Sequence, residues 1–128
     1  MTNKEFAEKL EKRTIKFAIE IINLSASLRA TTESLVVKNQ LTKSGTSVGA
    51  NYREANRSRS PRDFKNKIRI CVAEASETDY WLEIIEEINW INDNKIKDLR
   101  KEAKELLAIF TSIANKLWTL QVLKIDNL

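Results

Sequence analysis

Apolar residues recur along this chain at alternating steps of three and four, in four separate runs. The clearest is Ile96, Leu99, Ala103, Leu106, Phe110, Ile113, Leu117 and Leu120. A second joins Phe64, Ile68, Cys71, Ala75, Thr78, Leu82 and Ile85. A third joins Val37, Leu41, Ser44, Val48, Asn51 and Ala55, and a fourth Leu10, Thr14, Phe17, Ile21, Leu24 and Leu28. Such spacing keeps one seam turned toward a partner helix and is wrong for a strand, whose side chains alternate with period two. The pattern predicts an all-α protein, an antiparallel up-down-up-down four-helix bundle.

The punctuation agrees. Thr2 to Glu5 reads as a capping box, so the first helix starts there and runs to about Leu28. The polar stretch 29–32 is a connection, and the second helix covers about 33–56. Ser60 suits an N-cap, Pro61 the first helical position, and Asp63 can close a capping box. The third helix then runs to about Ile91, with Asn92, Asp93 and Asn94 as the turn into a fourth that ends near Leu120. Residues 1–120 form the bundle domain, and 121–128 are expected to fray. Short connections make neighbouring helices antiparallel.

A chain of 128 residues is one domain, able to bury about two thirds of its unfolded surface. Its single Cys71 lies on a seam, so no intrachain disulfide forms. Histidine is absent. That removes the commonest metal ligand and the commonest general base, and the usual hydrolase triads cannot be assembled. Gly45 and Gly49 lie inside a helix and make no phosphate loop. No enzyme activity, cofactor or metal is expected. Without an apolar stretch of about 18 residues or a signal-like start, the protein is expected to be soluble and cytoplasmic, away from membranes.

Three regions stand out. The second helix has an unusually small middle, with Ser44, Gly45, Gly49 and Ala50. Each helical glycine costs about 1 kcal/mol relative to alanine, which close approach by a neighbouring helix would offset. The third helix carries a second apolar stripe, Ile70, Trp81, Ile84, Ile88 and Ile91. Either two flanking helices widen its buried face, or the stripe is a subunit interface anchored by Trp81. Beyond the stripe its charges run Arg62, Lys65 and Arg69 first, then Asp79, Glu83, Glu86 and Glu87. This order opposes the helix dipole and calls for ion-pair partners within the bundle, on a neighbouring subunit or on an anion.

The third region is the hinge between the second and third helices. Arg53, Arg57, Arg59, Arg62, Lys65, Lys67 and Arg69 converge there against Glu54 and Asp63. Lys116 and Trp118 return to the same end, with Lys124 beyond. Arginine forks and free helix-terminal amides are what a phosphate-bearing partner uses, whereas the plain alternative is a solvated basic end. The net charge is only +4, so this is a patch on a protein of mixed charge. Glu54, Glu74 and Glu77 suggest a carboxylate metal site, but the helix hairpin separates Glu54 from Glu74 by roughly 15 Å along the axis. Pairing of Glu74 and Glu77 with Lys43 or a neighbouring subunit is the better expectation.

The segment Gln40-Leu41-Thr42-Lys43-Ser44-Gly45-Thr46-Ser47-Val48-Gly49-Ala50-Asn51-Tyr52-Arg53-Glu54-Ala55 closely resembles the signature of a bacterial four-helix bundle family. So do Asp63-Phe64, Ala73-Glu74-Ala75, Glu77-Thr78 and Tyr80-Trp81-Leu82-Glu83, in the same order and spacing. The family is named for proteins encoded in intervening sequences of 23S rRNA genes. The resemblance implies a ring-shaped homopentamer, and kinship with the basic pentameric accessory proteins of diversity-generating retroelements. It implies structural roles for Ser44, Gly45, Gly49, Ala50, Asn51, Glu54, Glu74, Glu77, Tyr80 and Trp81, and it supplies no catalytic activity. The resulting expectation is a self-associating bundle that binds structured RNA or a ribonucleoprotein through its basic hinge. The alternative is a protein-interaction scaffold without a nucleic-acid role.

Overall fold

The structure is a computed structural model that describes the backbone of residues 1–126 and the side chains of residues 1–117. Four helices follow one another: α1 (Asn3–Ser27), α2 (Thr32–Asn56), α3 (Pro61–Ile88) and α4 (Asn94–Asp126). Each start is set by a side chain. The Thr2 hydroxyl accepts the Glu5 amide at 3.1 Å, and Ser60 accepts the Asp63 amide at 3.1 Å ahead of Pro61. At α2, Thr31 and Ser34 exchange hydrogen bonds reciprocally, at 3.0 and 2.8 Å. That capping box begins at Thr31, inside the stretch read as a plain polar connection.

Consecutive helices pack side by side, and α1 meets α4 along a sparser closing edge. Contacts at the two ends of each pair give the directions. Glu11 meets Arg53 while Ser25 meets Lys38, and Glu54 meets Lys67 while Ser44 meets Thr78. Both pairs are therefore antiparallel, and the fold is a four-helix bundle.

The seams converge on one core in which Phe17, Ile21, Leu41, Val48, Ile68, Cys71, Leu82, Ile85, Leu106 and Phe110 are essentially inaccessible. Asn51, expected on the α2 seam, is displaced by its neighbour. Tyr52 is the buried residue, its ring edge-on to Phe110 at 5.2 Å between centroids. Asn51 instead donates to the Ser47 carbonyl at 2.8 Å. The step after Val48 is four residues, not three.

The third helix ends three residues before the expected Ile91. Asn89 adopts the left-handed conformation, φ 65°. The Asn89 amide bonds the Glu86 carbonyl at 3.1 Å and the Trp90 amide bonds that of Ile85 at 3.2 Å. This is the Schellman arrangement that stops a helix, with asparagine where glycine is commoner. Ile91 is consequently in the connection, half-buried against the core, and is not on the α3 stripe. At the other end of the next helix, α4 continues to Asp126, through most of the segment expected to fray. No glycine or proline between Leu120 and Asp126 interrupts it.

Candidate functional site

The small residues of α2 face in three directions. Gly45 and Gly49 abut α1. A Cβ at Gly45 would lie 2.6 Å from Cγ2 of Ile21, and one at Gly49 would lie 2.7 Å from Oγ1 of Thr14. Ser44 is turned toward α3, where it accepts the Thr78 hydroxyl at 3.0 Å and donates to the Leu41 carbonyl. Ala50 is exposed. Glycine thus brings the α1 and α2 backbones together, while Ser44 joins α2 to α3 through a buried, satisfied hydrogen bond.

The basic hinge is divided as well. Arg53 is tied to Glu11 at 3.3 Å and Lys67 to Glu54 at 2.6 Å, so these two balance carboxylates within the bundle. Lys65 is half-buried. Arg57, Arg59, Arg62 and Arg69 are exposed, and none has a carboxylate partner among the described residues. Arg59 borders a shallow hollow of about 340 Å³ with Ser58, Ser60, Pro61 and Phe64 at the start of α3. Arg62 and Arg69, seven residues apart, line up on one outward face roughly 10 Å along the helix. The side chains of Trp118 and Lys124, expected at this end, lie outside the described residues.

Three of the acids of α3, Asp79, Glu83 and Glu86, find a partner within the chain. Arg100 of α4 donates to Asp79 at 3.1 Å and to Glu86 at 2.8 Å, with Glu83 at 3.7 Å. One guanidinium therefore absorbs the charge order that opposes the α3 dipole. Arg13 plays the same part between α1 and α4, taking Glu102 at 2.6 Å and Glu105 at 2.5 Å. The acids that Arg13 holds lie 89 and 92 residues away in sequence, whereas Arg100 draws on the preceding helix, 14 and 21 residues back.

The apolar stripe of α3 is graded. Ile70 and Ile88 are 38% and 51% exposed. Ile84 is half-buried, and Trp81 packs partly against the core with Tyr80 edge-on to its ring at 5.1 Å. Val36 of α2 adds a further exposed aliphatic. Within this face, Oε2 of Glu74 and Nε1 of Trp81 are enclosed without a hydrogen-bond partner. Burial, then the charge of Glu77, raises the Glu74 carboxyl above its ordinary range, and Lys43 opposes the shift. Glu54, committed to Lys67, is not part of this group. Among the described residues no three potential metal ligands come together.

A second apolar face escaped the sequence reading. Ile15, Ile19 and Ile22 on α1 are 42%, 52% and 45% exposed. They form a ridge, of which Ile15 and Ile19 line an open groove of about 760 Å³ between α1 and α2, floored by Ala18, Gly49 and Ala50 and edged by Glu11, Arg53, Glu54 and Arg57. Lys12 and Lys16 are exposed beside it. Among the described residues no helix is long and apolar enough to cross a membrane.

These features agree with what the chain is similar to. The sequence profile of the 23S rRNA-intervening sequence protein family matches residues 8–112. A crystal structure of a protein of unknown function from the S23 ribosomal protein family of Bacteroides thetaiotaomicron superposes with a TM-score of 0.75. It is 35% identical over 81% of this chain and 96% of its own. No functionally curated protein matches the chain. With a profile spanning all but the two ends of the bundle and a related structure of the same fold, the chain belongs to the 23S rRNA-intervening sequence protein family.

Proposed function

We propose that this protein is a non-enzymatic, cytoplasmic, self-associating helical bundle that binds structured RNA, free or in a ribonucleoprotein, through its hinge between α2 and α3. The observation that carries the binding reading is the state of the arginines. Arg13, Arg53 and Arg100 are all held by carboxylates. Arg57, Arg59, Arg62 and Arg69 stand exposed together and have no such partner among the described residues, whereas Arg29, likewise exposed, stands alone at the opposite end. Unpaired guanidiniums suit phosphate oxygens. Self-association rests on the exposed part of the α3 stripe, Ile70 and Ile88 with half-buried Trp81 and Ile84. The pentamer that the family resemblance implies is the assembly expected.

The test is the charge reversal of Arg57, Arg59 and Arg62 to glutamate. All three side chains are exposed, so helicity should stay intact and stability should move by within about 0.5 kcal/mol per site. RNA binding should weaken, and the slope of log affinity against log salt should flatten by roughly one unit per lost phosphate contact. Binding is measured on the assembled protein with RNA fragments of several lengths, because repeated patches act together. Equal, weak binding with equal salt slopes in both proteins would assign the hinge to solvent and leave a protein scaffold.

A further inference from the structure

We propose that RNA bound at the hinge continues as a single strand along the outward face of α3 and stacks a base on Tyr80. This rests on the RNA reading proposed above and names the form of RNA that the site takes, with the residue that holds its base.

Arg62, Asn66, Arg69, Ala73, Ser76 and Tyr80 follow one another along α3 at alternating steps of four and three, and the same register continues into Glu83 and Glu87. All of them are exposed. The spacing gathers them on one side of the helix, opposite the seam through Cys71, Thr78 and Leu82 and apart from the apolar stripe of Ile70, Trp81 and Ile88. Read from the hinge, this face carries two guanidiniums without carboxylate partners among the described residues, then a neutral stretch, then an aromatic ring, then two carboxylates. Arg62 and Tyr80 stand roughly 27 Å apart along the axis.

That order suits one strand of RNA. Arg62 and Arg69 take phosphate oxygens, and no carboxylate lies on this face before Tyr80. Asp63, Glu74 and Glu77 fall on the side of α3 that carries Ile70 and Trp81, where Lys43 opposes Glu74, and Asp79 is held by Arg100. Lys104 adds an exposed cation on the face of α4 that carries Arg100, one turn nearer the hinge. Tyr80 is 55% exposed, yet its ring is steadied edge-on against Trp81, 75° between planes and 5.1 Å between centroids. A ring presented to solvent in a fixed orientation, beyond a row of cations, is a platform for an unpaired base. A duplex keeps its bases stacked on one another and is recognised through its backbone and groove shape, so it offers nothing to this ring. Glu83 and Glu87 repel phosphate one and two turns beyond Tyr80, so the charged track stops there and the stacked base lies at its end.

The experiment compares a single-stranded RNA of about eight nucleotides with a blunt duplex of the same length, on the full chain. Tyr80→Ala should bind the single strand about tenfold more weakly and the duplex unchanged, with the same salt slope as wild type because stacking releases no counterions. Tyr80→Phe keeps the ring and should bind as wild type does. Arg69→Glu should weaken single-strand binding and flatten its salt slope by roughly 0.7 per lost phosphate contact. Ultraviolet irradiation of the wild-type complex should crosslink the strand to the peptide that contains Tyr80, read by mass spectrometry. Equal single-strand affinity in Tyr80→Ala and wild type overturns the track, and leaves the hinge reading intact if reversal of Arg57, Arg59 and Arg62 still abolishes binding. An equal loss toward single strand and duplex also overturns it. A wild type that binds neither RNA, or is indifferent to the hinge reversal, removes the hinge reading and this inference together. If Tyr80→Ala loses helicity by circular dichroism, Ser76→Glu takes its place, setting a carboxylate on the track at an exposed position. It should weaken single-strand binding severalfold, and unchanged binding refutes the track.

Discussion

Replacing Gly49 with alanine tests the contact on which the α1–α2 pair is built. In an open helix the change is favourable by about 1 kcal/mol, because alanine loses less backbone entropy. Here the new Cβ would lie 2.7 Å from Oγ1 of Thr14, 2.9 Å from its Cβ and 3.4 Å from its backbone carbon. The hydroxyl can turn away only by leaving the Glu11 carbonyl, which it bonds at 2.8 Å. The Thr14 Cβ moves only with the backbone of α1. Relieving the overlap therefore shifts one helix against the other by roughly half an ångström to one ångström, and overpacking of this kind costs about 1–3 kcal/mol. With the cost near the upper end and the propensity gain subtracted, the net loss is about 2 kcal/mol. This corresponds to roughly 5–10 °C in Tm for a domain of this size. Urea unfolding followed by circular dichroism, at fixed protein concentration because the proposed self-association would contribute, reads the change in midpoint. Gly45→Ala, which meets the buried Ile21 at 2.6 Å, should behave alike. Combining the two should cost less than the sum, since both displace α1 from α2. Ala50→Gly, at an exposed position, is the control and should lose only the propensity difference of about 1 kcal/mol. A Gly49→Ala protein more stable than wild type would refute the close-approach argument.

Two further outcomes follow from the charged groups. Arg100→Ala leaves Asp79, Glu83 and Glu86 without their shared base and should cost about 2–3 kcal/mol in urea unfolding. Arg13→Ala, whose side chain is 36% exposed, should cost only about 1 kcal/mol or less, and the reverse order would contradict the assignment of Arg100 as the α3–α4 hub. Burial, ahead of the charge of Glu77, raises the Glu74 carboxyl in the folded protomer, and Ile88→Asp keeps that protomer separate if the proposed self-association runs through α3. The folded state then holds its proton more tightly than the unfolded chain. Stability attributable to Glu74 is present below the ordinary carboxylate range and is lost as pH rises through the raised value. Glu74→Gln should therefore stabilise that protomer at pH 7 and change little at pH 4. Equal effects at the two pH values would show that Glu74 does not titrate abnormally.

The helices and their seams were legible because burial between helices demands a repeat of three and four, and that repeat survives in the sequence even where its members are small. Its failures are physical. At Asn51 and Tyr52 a step of four replaces one of three, and Tyr52, with an apolar ring and a polar tip, suits a seam or a surface position. At Asn89 the helix is stopped by backbone geometry, which Asn92 and Asn94 advertise equally well in the sequence. Arg13 collects acids from a helix at the other end of the chain and Arg100 from the preceding helix across a turn, so neither hub follows from the spacing within one helix. The hinge arginines were legible as a cluster, but Arg53 and Arg57 could be separated only once Glu11 was seen to reach one and not the other.

The α1 ridge shows most clearly why surfaces are harder to read than cores. Ile15, Ile19 and Ile22 have the same helical spacing as the seam residues Phe17, Ile21 and Leu24. Periodicity identifies a face of a helix but not whether that face points inward or outward. Orientation is set across the groove by Gly45 and Gly49, which admit Ile21 and Thr14 at distances no other side chain would tolerate. Those contacts turn Phe17 and Leu24 into the core and rotate the isoleucines outward. The two glycines of α2 therefore act at two levels: they fix the depth at which α1 docks and, through its rotation, the presentation of the ridge. If the ridge takes part in the proposed self-association, a substitution at Gly45 that forces α1 to roll or retreat should weaken assembly as well as folding, although Gly45 does not line the groove. Light scattering on Gly45→Ala under conditions where circular dichroism shows it fully folded separates these effects. Its association should be weaker than that of wild type, and unchanged association would mean that the ridge keeps its orientation without the glycine contact.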